Sequence, residues 1–202
     1  GYIFVGQGVR NSVDLLFELA EMLEWPIMTT PVAKGFVRQD HPLSAGVFGF
    51  AATEQATSLI NDGDGKSLLI IGSSLGETAT NNYNGSLTDG RFTVQMDFDE
   101  TVFNRKYPID IPILGDIQLS LSALIEELKA LGITRKEMAF NRKDNVQSHE
   151  DYTTKNVLLQ LQSYLPSSTR YTIDIGEFMA YVIHDMDVLE YSTFDINVHF
   201  GA

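Results

Sequence analysis

Two glycines stand where the chain first leaves an apolar run. Gly6 and Gly8 follow the run Tyr2–Val5 and precede a stretch with helical spacing, so they form the first half of a G-x-G-x-x-G dinucleotide fingerprint. The third glycine of that fingerprint would fall at Asn11, where the pattern fails. Glycines suit such a turn because a phosphate can approach bare backbone near the N–H groups of a helix N-terminus. The pair therefore indicates either a nucleotide-binding turn or a tight strand-to-helix turn.

Acidic side chains follow two later apolar runs. Asp97 and Asp99 come at the end of one run, and Gly115 and Asp116 follow the next. In nucleotide-binding sheets, an acid at the end of a strand accepts hydrogen bonds from ribose hydroxyls. Such acids are also common caps of turns and helices, and Asp116 is a natural N-cap for the helix that follows it. From the residues alone, both interpretations stay open.

Other kinds of catalytic chemistry lack their residues. The chain has no cysteine, which excludes thiolate catalysis, disulfides and cysteine metal sites. Ser73 does not stand in a G-x-S-x-G elbow, and Gly65-Lys66-Ser67 lacks the upstream glycine of a phosphate-binding P-loop. No two histidines have metal-ligand spacing, and His41 is interpreted as structural. We therefore predict no metal site in this sequence.

The amino-acid composition indicates which partners and which cellular compartment to expect. The 202 residues include 14 basic and 27 acidic side chains, which gives a formal net charge of −13. This balance argues against nucleic-acid and anionic membrane partners, which need clustered lysine and arginine. No apolar run approaches the roughly 20 residues of a membrane span, and the N-terminus lacks the pattern of a signal peptide. We expect a cytoplasmic protein, since the lack of cysteine fits a reducing compartment.

The elements that would position these residues alternate between strand and helix over the first 130 residues. The predicted strands are Tyr2–Val5, Ile27–Thr30, Ser67–Ile71, Phe92–Met96 and Ile111–Leu114. Amphipathic helices are predicted after a cap at Asn11 or Ser12, over 51–60 and after Asp116, whereas 31–50 is predicted as a long loop. The helix after Asp116 is predicted to have one apolar face and to be followed by Gly132; the face consists of Leu119, Leu121, Leu124, Ile125 and Leu128. This alternation predicts an α/β fold: a doubly wound, mainly parallel Rossmann-like sheet with helices on both faces. The loops after the strands then meet at one edge, where a ligand would bind.

The character of the sequence changes after residue 131. Residues 1–131 are predicted to form the Rossmann-like domain, 132–150 a charged linker, and 151–202 the first part of a second α/β domain. In this last part, 152–164 is predicted as a helix and 171–175 as a strand. We expect the second domain to be cut short, with no closing element. Some of its apolar side chains would then lack sheet partners and promote self-association: Leu189, Tyr191, Phe194 and Phe200.

Several of these segments, taken in order, resemble one family. The segments are Gly6-Gln7-Gly8, Ala20-Glu21, Pro26–Thr30, Ala33-Lys34-Gly35, His41-Pro42, Gly46–Gly49, Leu68–Ser73, Met96–Asp99 and Ile113–Asp116. Over residues 1 to about 131, their order resembles the central domain of thiamine-diphosphate-dependent enzymes of the acetolactate synthase, pyruvate oxidase and benzoylformate decarboxylase group. Thr172–Gly176 and Phe200–Ala202 are similar to the start of the same family's diphosphate-binding domain.

The resemblance implies a parent enzyme that decarboxylates or ligates a pyruvate-like 2-oxo acid with thiamine diphosphate and magnesium. It also implies a homodimer or homotetramer, because the family's active sites span subunits. The catalytic glutamate and the cofactor's magnesium site have no counterpart in this sequence, so we expect no catalytic residue and no activity from the chain alone. The alternatives are a FAD- or ADP-binding module of another flavoprotein lineage and a purely scaffolding domain.

The resemblance further implies where a nucleotide would bind. FAD or ADP occupies the central domain in some members of the family, whereas other members leave it empty. The adenine and ribose would lie near Asp97, Asp99, Gly115 and Asp116. The rest of the implied cofactor-binding set, which includes the diphosphate site, consists of Gly6, Gly8, Gly46, Gly72 and Ser73. The segment Gly76–Thr80 stands where the flavin-binding synthases carry an acidic residue followed by arginine, and this departure weakens the FAD assignment.

Overall fold

The computed structural model describes residues 1–138 and 152–197. Within them, one sheet is built from β1 (Tyr2–Val5), β2 (Ile27–Thr29), β3 (Ser44–Val47), β4 (Ser67–Ile71), β5 (Phe92–Asp97) and β6 (Ile111–Leu114). The spatial order of the strands is β3-β2-β1-β4-β5-β6, and all neighbouring pairs are parallel. The helices of this part are α1 (Val13–Leu23), α2 (Glu54–Asp62) and α3 (Ile117–Ala130). The predicted doubly wound, parallel Rossmann-like fold is confirmed.

Helices cover both faces of the sheet because its central strands are apolar throughout. All four residues of β1 are buried, as expected for a strand packed on both sides. Ile3 and Val5 face a core formed with α1 and α3, whereas Tyr2 and Phe4 face a second core formed with α2. Successive side chains of a strand point to opposite faces, so β1 alone contributes to both cores.

Residues 31–50, predicted as a loop, contain the edge strand β3. It pairs with β2, and Val47 lies opposite Thr29. The sequence hides this strand because it is short, alternates between buried and half-buried residues, and carries Gly46 at a φ of +83°. The 3₁₀ segment Pro31–Phe36 precedes it. The long connection after β2 is therefore an ordered part of the fold.

The start of α2 differs from the prediction for a local reason. The helix begins at Glu54 rather than at residue 51, because Ala51 has a φ of +54°, which no helix residue adopts. Thr53 is the N-cap, and its hydroxyl oxygen accepts a hydrogen bond from the N–H of Ala56. The boundary is thus set by a cap that hydrophobic periodicity does not reveal.

The predicted apolar face of α3 is correct except at one position. Leu121 and Ile125 are buried in the core that α3 shares with α1. Leu119 is instead 72% exposed, because it precedes Leu121 by two residues, about 200° around the helix. Gly132 has a φ of +81°, which confirms it as the residue that follows the helix end.

Residues 152–197 form a smaller unit, which we call the βαβ unit. It consists of α4 (Thr154–Tyr164), β7 (Tyr171–Ile173), α5 (Glu177–Asp185) and β8 (Phe194–Ile196), and β7 and β8 pair in parallel. The expectation that Phe194 lacks a sheet partner is wrong, because it lies opposite Tyr171 and is 6% exposed. Tyr191 packs its ring 5.6 Å from the ring of Phe17 in α1. This unit therefore packs on the sheet domain of its own chain.

The division of the chain into 1–131, 132–150 and 151–202 stays a prediction. Residues 139–151, which make up most of the predicted linker, lie outside the described residues. Residues 198–202, with Phe200, also lie outside them. Leu189, by contrast, is described and is exposed.

Candidate functional site

The candidate site is a cavity of about 380 Å³ between the carboxyl ends of β1 and β4. These strands are neighbours, but the chain runs outward from β1 through β2 and β3 and then returns to β4 on the other side. This reversal is the topological switch point at which open α/β sheets bind ligands. The cavity is lined by residues that follow β1, β2 and β4: Gly6, Gln7, Thr30, Pro31, Val32, Gly72, Ser73, Ser74, Gly76, Glu77, Thr78 and Ala79.

The predicted glycines at the ends of β1 and β4 come together, and they pack against each other. The N–H of Gly8 donates to the carbonyl oxygen of Gly72 at 3.0 Å. A Cβ on Gly8 would lie 2.7 Å from the Cα of Gly72, and a Cβ on Gly6 would lie 2.7 Å from the Cα of Ser73. The space that these glycines leave is thus filled by neighbouring backbone. Close packing of two turns explains the G-x-G pattern without a phosphate.

Two buried oxygen atoms beside the cavity have no hydrogen-bond partner among the described residues: Thr30 Oγ1 and Gln95 Oε1. Thr30 lines the cavity itself. The Nε2 of Gln95 donates to the carbonyl oxygen of Ser73 at 2.9 Å, which places the amide of Gln95 next to the cavity wall. Buried polar atoms are rarely left unpaired, so these two oxygens are candidates for contacts with a ligand. Sequence reasoning missed both residues, although a glutamine inside the apolar run 92–96 is a signal that could have identified one of them.

Asp97 and Asp99 follow each other closely but differ in environment. Asp97 is the last residue of β5 and is 5% exposed, and burial raises the pKa of its carboxyl group. Its Oδ1 accepts a hydrogen bond from the N–H of Asp99 at 3.1 Å. Asp99 uses its own Oδ1 to accept from the N–H and the hydroxyl of Thr101, and these bonds lower the pKa of Asp99. Asp99 is thus engaged as a cap.

Gly115 and Asp116 lie next to Asp97 at the carboxyl end of the sheet. The N–H of Gly115 donates to the carbonyl oxygen of Asp97 at 3.0 Å. Asp116 is the N-cap of α3, and its Oδ1 accepts from the N–H of Leu119 at 2.9 Å. The structure therefore places Asp97, Gly115 and Asp116 together at the carboxyl ends of β5 and β6, beside the cavity rather than among its lining residues.

Gly46, the remaining predicted residue, lies elsewhere. It belongs to the edge strand β3, and a Cβ at this position would overlap the hydroxyl of Thr53, the N-cap of α2. It does not line the cavity. Close approach to a helix cap and a positive φ account for the glycine.

The cavity carries little positive charge. Glu77 is the one acidic residue that lines it, and neither lysine nor arginine is among the lining residues. Arg105 reaches the rim, where its Nη2 donates to the carbonyl oxygen of Ser74 at 3.2 Å. Gln7, Ser73 and Ser74 supply neutral polar groups instead. The lining is suited to hydroxyl and amide groups more than to a polyanion.

His41 lies in a separate buried cluster. Its Nδ1 accepts from the N–H of Leu43 at 3.1 Å, so Nε2 carries the proton and faces Glu21 Oε1 at 3.2 Å. Burial lowers the pKa of His41, against the opposing effect of Glu21. Arg135 also binds the carboxylate of Glu21. These bonds join α1 to two connecting segments, which agrees with the structural interpretation of His41.

Two further observations concern metal ions and membranes. No group of three or more His, Cys, Asp and Glu side chains in residues 1–138 and 152–197 is arranged to hold a metal ion. None of the described helices has the length and hydropathy that crossing a membrane requires.

Comparison with known proteins gives one family. The model described as "Thiamine pyrophosphate enzyme, central domain" matches residues 1–124. A probable acetolactate synthase large subunit from Methanococcus aeolicus is 28% identical over 146 residues, which cover 71% of this chain and 24% of that protein. Oxalyl-CoA decarboxylase from Escherichia coli (strain K12) is 27% identical over 160 residues, 75% of this chain and 27% of that enzyme. Pyruvate oxidase from Lactiplantibacillus plantarum is 27% identical over 131 residues, 62% of this chain and 20% of that enzyme.

The match coincides with the sheet described above. All six strands around the switch point lie within residues 1–124. The chain spans about a quarter of the length of the first two of these relatives. Since the family model covers more than half of the chain, this protein belongs to the thiamine pyrophosphate enzyme family and carries its central domain.

Proposed function

We propose that this chain is part of a thiamine-diphosphate-dependent enzyme that decarboxylates or ligates a 2-oxo acid such as pyruvate. The observation that carries the proposal is the family match over the whole six-stranded sheet. The names of similar proteins, among them acetolactate synthase and pyruvate oxidase, support the substrate class. In this proposal the described residues supply no catalytic group, and thiamine diphosphate and Mg²⁺ are held by other parts of the enzyme. When bound, thiamine diphosphate supplies the carbanion chemistry.

The test is an assay of the gene product that contains this chain. Carbon dioxide release and acetolactate formation from pyruvate would be followed with and without thiamine diphosphate and Mg²⁺. We expect turnover that requires both additions. Lack of thiamine-dependent turnover of pyruvate, glyoxylate and other 2-oxo acids would overturn the proposal.

We also propose that the cavity and the adjacent ends of β5 and β6 bind an adenine nucleotide, either FAD or ADP. Support comes from the unpartnered oxygens of Thr30 and Gln95, which a ligand N–H or O–H would satisfy. Asp97 stands at the end of a strand, where a carboxylate accepts ribose hydroxyls. Phe98, next to it, is 74% exposed and offers a flat apolar surface to an adenine ring.

The two ends of such a nucleotide fit unequally. The adenosine end has Asp97 and Phe98, as described above. The diphosphate end has no lysine or arginine in the cavity lining and has Glu77 nearby. Hydrogen bonds from neutral groups would have to hold the phosphates. We therefore expect binding that depends only weakly on salt, since screening acts on charge–charge attraction.

Calorimetric titration of FAD and then ADP tests this site. Asp97→Asn removes the carboxylate with little change of shape, and Asp195→Asn, on the exposed side of β8, is the matched control. We expect saturable binding that Asp97→Asn weakens about tenfold, the value of one lost charged hydrogen bond. Asp195→Asn should leave it unchanged. Binding of neither nucleotide to the folded protein would overturn the proposal in favour of the scaffolding alternative.

We propose, from the family resemblance, that the enzyme assembles as a homodimer or homotetramer. The formal charge of −13 opposes self-association, and this repulsion is screened at physiological ionic strength. Light scattering on the gene product at physiological ionic strength is the test. A mass equal to one chain at all concentrations would contradict the assembly.

A further inference from the structure

A buried lysine lies where the βαβ unit meets the sheet domain. Lys34 belongs to the 3₁₀ segment Pro31–Phe36 and is 2% exposed. Among the residues that the structure describes, it is the one lysine or arginine buried to this degree. Its Nζ donates to the carbonyl oxygen of Ile183 at 2.8 Å and lies 5.8 Å from the centre of the Phe194 ring. Lysine is almost never fully buried unless it is paired, so these contacts define its role.

The partner of Lys34 is a helix end. Ile183 lies in the last turn of α5, which ends at Asp185. The last four carbonyl groups of a helix accept no hydrogen bond from an N–H group of the same helix. A cation at that end satisfies such a carbonyl and also interacts favourably with the helix dipole. The ammonium group of Lys34 thus caps the carboxyl end of α5 from the other side of the contact.

The charged groups around Lys34 come from the βαβ unit. The carboxylates of Asp185 and Asp187 both favour its protonated form. Asp185 is in turn paired with Lys155 of α4 at 2.8 Å and with His184 Nδ1 at 3.0 Å. Burial outweighs the carboxylates and lowers the pKa of Lys34 to about 8.

Backbone contacts on either side of Lys34 also hold its segment against the βαβ unit. The N–H of Ser192 donates to the carbonyl oxygen of Gly35 at 2.8 Å, and the N–H of Gln39 donates to that of Val188 at 3.1 Å. A Cβ on Gly35 would lie 2.8 Å from the carbonyl oxygen of Phe194. The segment around Lys34 therefore meets the βαβ unit backbone to backbone.

We infer that Lys34 is a positioning residue, which sets the orientation of the βαβ unit on the sheet domain by capping α5. The contact involves the end of α5 and the start of β8. Since α5 runs back between two parallel strands, both lie at the amino ends of those strands. The carboxyl ends of β7 and β8, where such units bind ligands, therefore point away from the contact. The inference does not depend on the proposed nucleotide site.

Hydrogen exchange of single amides tests the inference. The N–H groups of Ser192 and Gln39 donate across the contact. The N–H of Gly72 donates to Met96 within the sheet domain, and the N–H of Tyr171 donates to Thr193 within the βαβ unit.

Lys34→Met keeps an unbranched apolar chain but leaves the α5 end and the carboxylates without their cation. We expect Ser192 and Gln39 to exchange about tenfold faster, Tyr171 to be accelerated less than these two, and Gly72 to be unchanged. Lys66→Met, at an exposed position, is the control.

Two outcomes would overturn the positioning role. Unchanged exchange at Ser192 and Gln39 would show that Lys34 does not hold the contact. Equal acceleration of all four amides would show that it supports the fold as a whole instead.

A pH series on the unmodified protein supplies a second readout. Between about pH 8, the pKa in the folded protein, and its ordinary value near 10.5, the open form binds a proton that the docked form has released. Docking should therefore become more stable as pH rises through this window, because the neutral amine is easier to bury. Tyr191 lies at the same contact, and burial raises the pKa of its phenol above the ordinary value of 10.0, so the comparison is made between about pH 8 and about pH 9. Over this range the opening equilibrium of Ser192 should fall in the unmodified protein and stay flat in Lys34→Met. Identical pH profiles for the two proteins would contradict the inference.

Discussion

At the scale of single residues, the glycines around the cavity differ in what their missing side chains make room for. A Cβ on Gly8 would come 2.7 Å from the Cα of Gly72 and from the Cδ1 of Ile117, whereas a Cβ on Gly76 would meet nothing within 4 Å. We expect Gly8→Ala to lower the free energy of unfolding by about 1–3 kcal/mol, because backbone segments must move apart. Gly76→Ala, the matched control, should change it by less than about 0.5 kcal/mol. Urea denaturation measures both.

Equal, small effects of the two alanine substitutions would contradict the packing explanation. The close approach of the two turns would then not need a glycine at position 8. A loss of nucleotide binding in a Gly8→Ala protein of unchanged stability would instead return the pair Gly6 and Gly8 to the phosphate-binding interpretation.

Individual site residues were predictable only where a residue type suited to ligand binding stood at the end of a predicted strand. Gly6, Gly72 and Ser73 could be placed near one another because parallel strands bring their carboxyl ends to one edge. Thr30 and Gln95 could not, since their importance lies in unpartnered oxygen atoms that only packing reveals. Local sequence also does not show which way a side chain turns.

At the scale of secondary-structure elements, Asp116 has two candidate roles that can be separated. Its Oδ1 caps α3 by accepting from the N–H of Leu119. Asp116→Ala should therefore lower the free energy of unfolding by about 1 kcal/mol, whereas Asp116→Asn should keep most of the cap. Thermal unfolding followed by circular dichroism measures both variants. Equal destabilisation by the two substitutions would mean that the cap needs the negative charge of the carboxylate. Weaker nucleotide binding in Asp116→Asn would indicate that the carboxylate contacts the ligand.

The elements that the sequence predicts well are those with strong local patterns. β1 and β4 are continuous apolar runs, and α3 has a periodic face. β3 and β8 were missed because each is three or four residues long and is stabilised by a distant partner: β3 by β2, and β8 by β7. Strands of this kind form where tertiary contacts outweigh a weak local preference.

At the scale of the whole molecule, topology was the most predictable feature. Alternation of strand and helix predicts a parallel sheet, and right-handed connections limit the arrangements that remain. The sequence gives no comparable rule for how the βαβ unit meets the sheet domain. That contact depends on Lys34, whose burial contradicts the usual exposure of lysine and could not be expected from residue type.

The same contact leads to a prediction about unfolding. The sheet domain and the βαβ unit share the Lys34 cap, two backbone hydrogen bonds and the packing of Tyr191 on Phe17. Two units unfold in a single transition when the contacts that they share stabilise them more than the contacts that each unit keeps on its own. Trp25, the one tryptophan of the chain, packs against the core of the sheet domain, so its fluorescence reports on that domain. Far-ultraviolet circular dichroism reports on both parts, because α4 and α5 contribute to it.

We therefore expect the two signals to follow one urea transition in the unmodified protein. In Lys34→Met, circular dichroism should show an earlier phase that Trp25 fluorescence lacks, because the βαβ unit would open first. Lys66→Met should keep a single transition. Separate transitions in the unmodified protein would contradict the prediction and would mean that the βαβ unit is stabilised independently of its contact with the sheet. A single transition in all three proteins would mean that cooperativity between the two parts rests on the backbone contacts and on Tyr191 rather than on the lysine.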